Sequence, residues 1–119
     1  MTISKRKVVT FQSLGIVGSL INTQNKEVAK KSAQDILEPI CSMCDVRRGE
    51  FLKTLYYFLE NGGNLEETAA DLALSVSGLR YRIKKIEEIL ERDLRDPVEN
   101  YQLLLSLQVL ILIDELEVY

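Results

Sequence analysis

Residues 64–90 of this chain, NLEETAADLALSVSGLRYRIKKIEEIL, contain the pattern that decides the fold. Asn64 is a good helix N-cap, and Glu67 follows three residues later, where a capping-box acid belongs. Ser75 can cap a second helix, which then covers about residues 76–90. A short capped helix, a tight corner and a longer capped helix together predict a helix-turn-helix.

Apolar residues at helical spacing predict which sides of the two helices face the core. The first helix has one apolar face, and the second has a stripe whose members lie four, three and four positions apart. The small side chains of Ala69 and Ala70 allow the helices to approach closely where they cross. The predicted inward residues are Leu65, Thr68, Ala69 and Leu72 in the first helix, and Leu79, Ile83, Ile86 and Leu90 in the second.

The outward half of the second helix carries four cations between residues 80 and 85. At about 100° per residue, Tyr81 and Lys84 fall opposite the apolar stripe, and Arg80 and Arg82 fall on the two flanks. Such a helix can enter a DNA major groove, with its first residues at base edges and its cations on phosphates. The alternative is a solvated basic face on a surface helix. The candidate DNA-binding residues are Ser75, Val76, Ser77, Gly78, Arg80, Tyr81, Arg82, Lys84 and Lys85.

Three segments resemble the C-terminal helix-turn-helix domain of PucR-type bacterial transcriptional regulators. They are FLKTLYYFLENGGNL at 51–65, LRYRI at 79–83 followed by IEEI at 86–89, and RDLRDP at 92–97 before an apolar helix. The segments occur in the expected order and spacing, and the resemblance covers about residues 47–116. It implies a DNA-binding regulator, usually of catabolic or metabolic genes, and a cytoplasmic location.

The resemblance extends to the segment before this region. FQSLGI at 11–16 resembles the junction that links an upstream sensor domain to the DNA-binding domain in the family. It implies that residues 1–12 are a tail or the remnant of a preceding domain. A small-molecule effector would then be sensed by a domain outside this chain. A stand-alone short protein is the alternative.

One departure from the family pattern falls at the start of the second helix. The family usually has His-Arg-Asn-Thr before Leu-Arg-Tyr-Arg, whereas this chain has Ser75, Val76, Ser77 and Gly78. An Arg and an Asn, which are good bidentate donors to bases, are therefore missing. Either the DNA site differs from the family norm, or the domain serves dimerisation or protein interaction without specific DNA readout.

Length and composition agree with a single folded domain. The chain has 119 residues, 46% of them apolar, and a formal net charge of −3. Because the whole chain is acidic, any DNA binding must rely on a local basic surface. No apolar run reaches the 18 or so residues needed to span a membrane, and no signal peptide is evident.

The remaining segments predict an all-α helical bundle around the helix-turn-helix. Residues 13–46 form an N-terminal helical collar, with a helix at 13–22, a second from Asn25 to residue 36 or 37, and a restart at Pro39. Residues 47–119 form the DNA-binding domain. Its first helix covers 50–61 with Tyr56 and Tyr57 toward the sides, and Gly62 and Gly63 end it.

The last predicted helix, at 98–117, is apolar nearly all round between residues 103 and 113. Such a helix is either central to the core or half of a dimer interface. A homodimer suits DNA binding, because a twofold protein can meet two half-sites about one helical turn apart.

No residue pattern indicates an enzyme, a metal site or a cofactor. Cys41 and Cys44 form a Cys-x-x-Cys, but the chain has no His and no other Cys to complete a tetrahedral zinc site. Two buried free cysteines are therefore predicted, with a metal shared across a dimer as the alternative. No nucleophile lies near a base in the sequence, and no phosphate-binding loop is present.

Overall fold

Five α-helices make up the part of the chain that the structure, a computed structural model, describes: residues 24–113. In chain order they are α1 (Lys26–Cys41), α2 (Asp45–Glu60), α3 (Leu65–Leu72), α4 (Val76–Leu90) and α5 (Pro97–Leu112). The predicted all-α bundle with a helix-turn-helix, a collar helix and a long apolar C-terminal helix is confirmed. The tail at 1–12, the helix at 13–22 and the end of the last helix beyond 113 lie outside the described residues.

The core lies between α1, α2, α4 and α5, and α1 and α2 are the helices that pack against α5. Helix α1 packs mainly on α5 and also contacts α2 and α4, so the collar and the helix-turn-helix share one core. Every fully buried aliphatic side chain contributes roughly 1.5–3 kcal/mol through its removal from water. The largest of these side chains are Leu37, Ile40, Leu55, Leu79, Ile86, Leu103, Leu107 and Leu110.

Helix α5 is a central core helix of the single chain. All six residues from 106 to 111 are buried, which accounts for a sequence that is apolar on nearly every side. Its two buried polar residues have partners: Ser106 Oγ donates to the Gln102 carbonyl at 2.8 Å, and Gln108 Nε2 donates to Glu60 Oε2 at 3.4 Å. The apolar surface of this helix therefore does not require a dimer, and the homodimer remains a prediction.

The predicted restart at Pro39 is wrong, because α1 continues through this residue to Cys41. Proline lacks the amide that would bond to the carbonyl of Asp35, but in the last turn only that one bond is lost. Ile40, which follows directly, is fully buried and holds the turn against the core. Asn25 lies at the N-cap position as predicted, although its side chain makes no capping hydrogen bond.

Helix α2 begins at Asp45, five residues before the predicted start, and is buried on more sides than predicted. Tyr56 and Tyr57, expected toward the sides, are 0% and 2% exposed. The physical reason is that α1, α3, α4 and α5 all pack against α2, so this helix has several inward faces. The aromatic rings serve packing here, and they are not available as a surface for stacking bases.

The predicted burial of both cysteines is wrong for Cys44. Cys41 ends α1 and is half-buried, whereas Cys44 is the exposed N-cap residue of α2. Burial raises the pKa of the Cys41 thiol, against the opposing effect of Arg48. Cys41 is therefore largely protonated near neutral pH and a poor nucleophile.

Candidate nucleic-acid interface

The N-terminus of α3 is fixed by the residue predicted to cap it. Asn64 Oδ1 accepts a hydrogen bond from the Glu67 N–H at 2.9 Å. The Asn64 N–H donates to the Asn61 carbonyl at 3.2 Å. The first helix of the helix-turn-helix therefore begins directly after the turn that ends α2.

A polar cluster joins the end of α2 to α3. Asn61 Nδ2 donates to Thr68 Oγ1 at 3.0 Å and to Asp71 Oδ2 at 3.1 Å. Thr68, which is fully buried, donates its hydroxyl proton to the Asn64 carbonyl at 2.7 Å. Since buried polar groups are costly when unpaired, this cluster favours one orientation of α3 on α2.

Ala73 forms the corner between α3 and α4. Its backbone is left-handed, with φ 56° and ψ 42°. The Ala73 N–H donates to the Ala70 carbonyl at 3.3 Å, and the Leu74 N–H donates to the Ala69 carbonyl at 2.9 Å. These two bonds form a Schellman motif, the usual way to end a helix with a reversal of direction. The predicted corner therefore consists of residues 73–75.

Helix α4 is capped and seated as predicted. Ser75 Oγ accepts a hydrogen bond from the Gly78 N–H at 3.0 Å. A Cβ at position 78 would lie 3.1 Å from that same Oγ, so glycine leaves room for the cap. The whole predicted stripe is buried, and it consists of Leu79, Ile83, Ile86 and Leu90.

The opposite face of α4 is open to solvent and carries most of the predicted DNA-binding residues. Tyr81 is 67% exposed. Lys85 Nζ lies 5.7 Å from the centre of the Tyr81 ring and 3.9 Å from Glu88 Oε1. The exposed candidates are Ser75, Ser77, Gly78, Arg80, Tyr81, Lys84 and Lys85.

Two of the predicted residues, Val76 and Arg82, are half-buried. Val76 packs against the core. Arg82 Nη1 donates to Thr54 Oγ1 at 3.1 Å, and Thr54 in turn donates to the Glu50 carbonyl at 2.7 Å. Arg82 therefore ties α4 to α2 and differs from the exposed cations around it.

A further cation near this face was not among the predicted site residues. Arg95, in the turn between α4 and α5, lines a cleft of about 480 Å³ together with Arg80 and Lys84. Within the turn, Arg95 Nε forms an ion pair of 3.2 Å with Asp93 Oδ1. The Arg95 backbone N–H donates to Asp93 Oδ1 at 2.9 Å and is the main cause of the lowered pKa of the Asp93 carboxyl, and the Arg95 side chain lowers this pKa further. No sequence signal links Arg95 to residues 80 and 84.

The turn that carries Arg95 is held in place by buried contacts. Leu94 is 3% exposed and belongs to the core. Its N–H donates to Glu87 Oε2 at 2.9 Å, and its carbonyl accepts a hydrogen bond from Asn100 Nδ2 at 2.8 Å. One side of α4 and the start of α5 thus determine where Arg95 lies.

A short helix, a left-handed corner and a second helix with an exposed cationic face define a helix-turn-helix domain. The family model of the PucR C-terminal helix-turn-helix domain matches residues 51–109, and the chain belongs to this family through that segment. Transcription regulation and DNA binding fit this family. Comparison with curated proteins and with solved structures gave no match.

Neither a metal site nor a membrane span is found within residues 24–113. No group of three or more potential ligands among His, Cys, Asp and Glu converges in this range. None of its helices is long and apolar enough to cross a lipid bilayer.

Proposed function

We propose that this chain is the sequence-specific DNA-binding domain of a bacterial transcriptional regulator, and that α4 enters the major groove. The observation that carries the proposal is the exposed face of α4, which stands opposite the fully seated apolar stripe. A recognition helix must be fixed by one face and free on the other, because its outer residues have to reach base edges.

The residues of this face fall into two groups by their chemistry. The first group faces the bases, because it lies in the N-terminal half of α4 or just before it, where helix-turn-helix proteins approach base edges. It consists of Ser75, Ser77, Gly78 and Tyr81. Val76, beside them, supports this end from the core side. The cations that bind phosphates are Arg80, Arg82, Lys84 and Lys85.

Arg82 has two roles in this proposal. A guanidinium group has five N–H donors in a planar fork. One of its nitrogens, Nη1, donates to Thr54 and so helps to seat the helix. The other donors of the group bind phosphate from the flank of α4.

The alternative is a degenerate helix-turn-helix that serves as a dimerisation or protein-interaction module. Two observations favour it: the net charge of −3, and the absence of Arg, Asn or Gln from positions 75–78. Those side chains make the commonest bidentate contacts to guanine and adenine. Under this alternative, α4 would bind random DNA weakly through its cations and would not discriminate between sequences.

The deciding experiment is a selection of bound sequences from a random DNA pool with the purified chain, followed by polarisation titrations. The selected duplex should bind at least about 10³-fold more tightly than random DNA at the same salt concentration. Tyr81→Ala should reduce this preference, because Tyr81 is on the side of α4 that approaches the bases. Lys84→Gln should weaken binding to the selected and the random duplex about equally. Lys31→Gln, on the exposed surface of α1, should change neither. Equal affinity of the wild-type chain for selected and random DNA would favour the interaction module.

Further parts of the proposal concern the assembly. We infer a homodimer on DNA, because a twofold protein meets two half-sites spaced by about 10 base pairs. A selected sequence with inverted half-sites at that spacing would support it, and a single half-site bound by one chain would contradict it. The proposed regulator is cytoplasmic, and a small-molecule effector, if it has one, is sensed by a domain outside this chain.

A further inference from the structure

One side of α4 forms a cleft with the turn between α4 and α5. The apolar floor of the cleft consists of Phe58, Leu65, Ile83 and Leu94. Its charged rim has three cations, Arg80 and Lys84 from α4 and Arg95 from the turn, against one carboxylate, Glu87. Because Glu87 Oε2 already accepts the Leu94 N–H, its negative charge is partly engaged in holding the turn.

A neighbouring hollow provides a comparison on the same surface. It is shared by Lys84, Arg92 and Arg95, but its rim has four carboxylates, those of Glu87, Glu88, Glu91 and Asp93. Excess positive charge is therefore found in the cleft and not in the hollow. An anion is therefore expected to bind in the cleft, where cations outnumber the carboxylate. In the hollow, the four carboxylates would repel it.

We propose that the cleft holds a phosphate of the DNA backbone and that Arg95 is a phosphate-binding residue outside the helix-turn-helix. The inference rests on the proposed function, since it requires α4 to lie in the major groove. Arg80 and Lys84 line the edge of α4 that faces the cleft. A DNA strand that borders the major groove then passes between α4 and the turn, and Arg95 closes the cleft from the far side.

The ion pair with Asp93 does not prevent this role. The Arg95 side chain is 89% exposed, and its recorded contact with Asp93 uses Nε. Exposed ion pairs are weak, because water screens them and both side chains lose mobility. A phosphate can replace or share this partner, and guanidinium binds phosphate in a bidentate manner.

Arg92→Gln is a matched control for Arg95→Gln. Arg92 lies three residues earlier in the same turn and lines the acidic hollow, not the cleft. Its Nη1 donates to Gln102 Oε1 at 3.2 Å. Both variants remove one positive charge, so a general charge effect would change both equally.

The experiment measures the salt dependence of binding to the selected duplex. Arg95→Gln should reduce the slope of log K against log salt by about 0.9 and weaken binding about eightfold at 0.1 M salt. Arg92→Gln should leave the slope unchanged. Arg95→Lys keeps the positive charge, so its slope should stay close to that of the wild-type chain. Circular dichroism and urea unfolding verify that the variants fold like the wild-type chain.

A scan with neutral methylphosphonate linkages locates the contact. Neutralising one particular phosphate should weaken DNA binding by the wild-type chain. The same change should not further weaken DNA binding by the Arg95→Gln variant. Equal slopes for wild type and Arg95→Gln, or equal losses in Arg95→Gln and Arg92→Gln, would overturn the inference while the proposed function stands. If the wild-type chain does not prefer the selected duplex, the proposed function itself fails.

Discussion

The corner of the helix-turn-helix depends on the backbone of a single residue, Ala73. Its φ of 56° lies in the left-handed region, where a Cβ is crowded and glycine is favoured. Ala73→Gly should therefore raise the free energy of unfolding by about 0.5–1 kcal/mol. The shift of the urea midpoint, with an unchanged m-value, measures this gain.

Ala70→Gly is the matched control for this substitution. Ala70 is also exposed, but it lies inside α3, where glycine costs about 1 kcal/mol relative to alanine. The same chemical change should therefore stabilise the protein at position 73 and destabilise it at position 70. A loss of stability at both positions would contradict the proposed strain at the corner.

At the scale of the helices, periodicity predicted the elements best where each has a single inward face. The stripe of α4 and the caps at Asn64 and Ser75 were predicted residue by residue. Periodicity failed for α2, where eight of the nine residues from 51 to 59 are buried and only Lys53 is exposed. A helix covered by several neighbours has no polar face, so its side chains cannot be assigned from spacing.

The candidate site shows the same limit. The exposed residues of α4 follow from its helical period, because they depend only on neighbours in the sequence. The contact of Arg82 with Thr54 joins residues 28 positions apart, and the cleft brings Arg95 to Arg80 through the packing of Leu94. Contacts of this kind depend on how helices pack, which periodicity does not specify.

The bond between Arg82 and Thr54 leads to a prediction about the seating of α4 on α2. Thr54 is fully buried, and Thr54→Val removes its hydroxyl with little change of shape. Thr54→Val and Arg82→Ala should each lower the free energy of unfolding by about 1 kcal/mol. The double variant should lose less than the sum, because both changes remove the same hydrogen bond.

A double-mutant cycle in urea gives the coupling energy, expected at about 0.5–1.5 kcal/mol. Arg80→Ala combined with Thr54→Val is the control cycle, because Arg80 is exposed on the cleft side of α4. Its coupling should be near zero. Strict additivity of Arg82→Ala and Thr54→Val would mean that the bond does not hold α4 in place.

At the scale of the whole molecule, the burial of α5 determines whether folding depends on association. The six residues from 106 to 111 are enclosed within one chain, and α1 covers much of this helix. The single chain should therefore fold without a partner, and its urea midpoint should be the same over a hundredfold range of protein concentration. An obligate dimer would become more stable as the concentration rises. Pairing on DNA would then use a surface other than the buried part of α5.

Substitutions in α5 test the same conclusion through packing. Leu107 is fully buried, so Leu107→Ala should lower the free energy of unfolding by about 2–5 kcal/mol. Leu104, on the same helix, is only half-buried and lines an open groove, so Leu104→Ala should cost clearly less. Both losses should be independent of protein concentration if α5 is a core helix. A loss at Leu107 that grows on dilution would instead place this residue at an interface between chains.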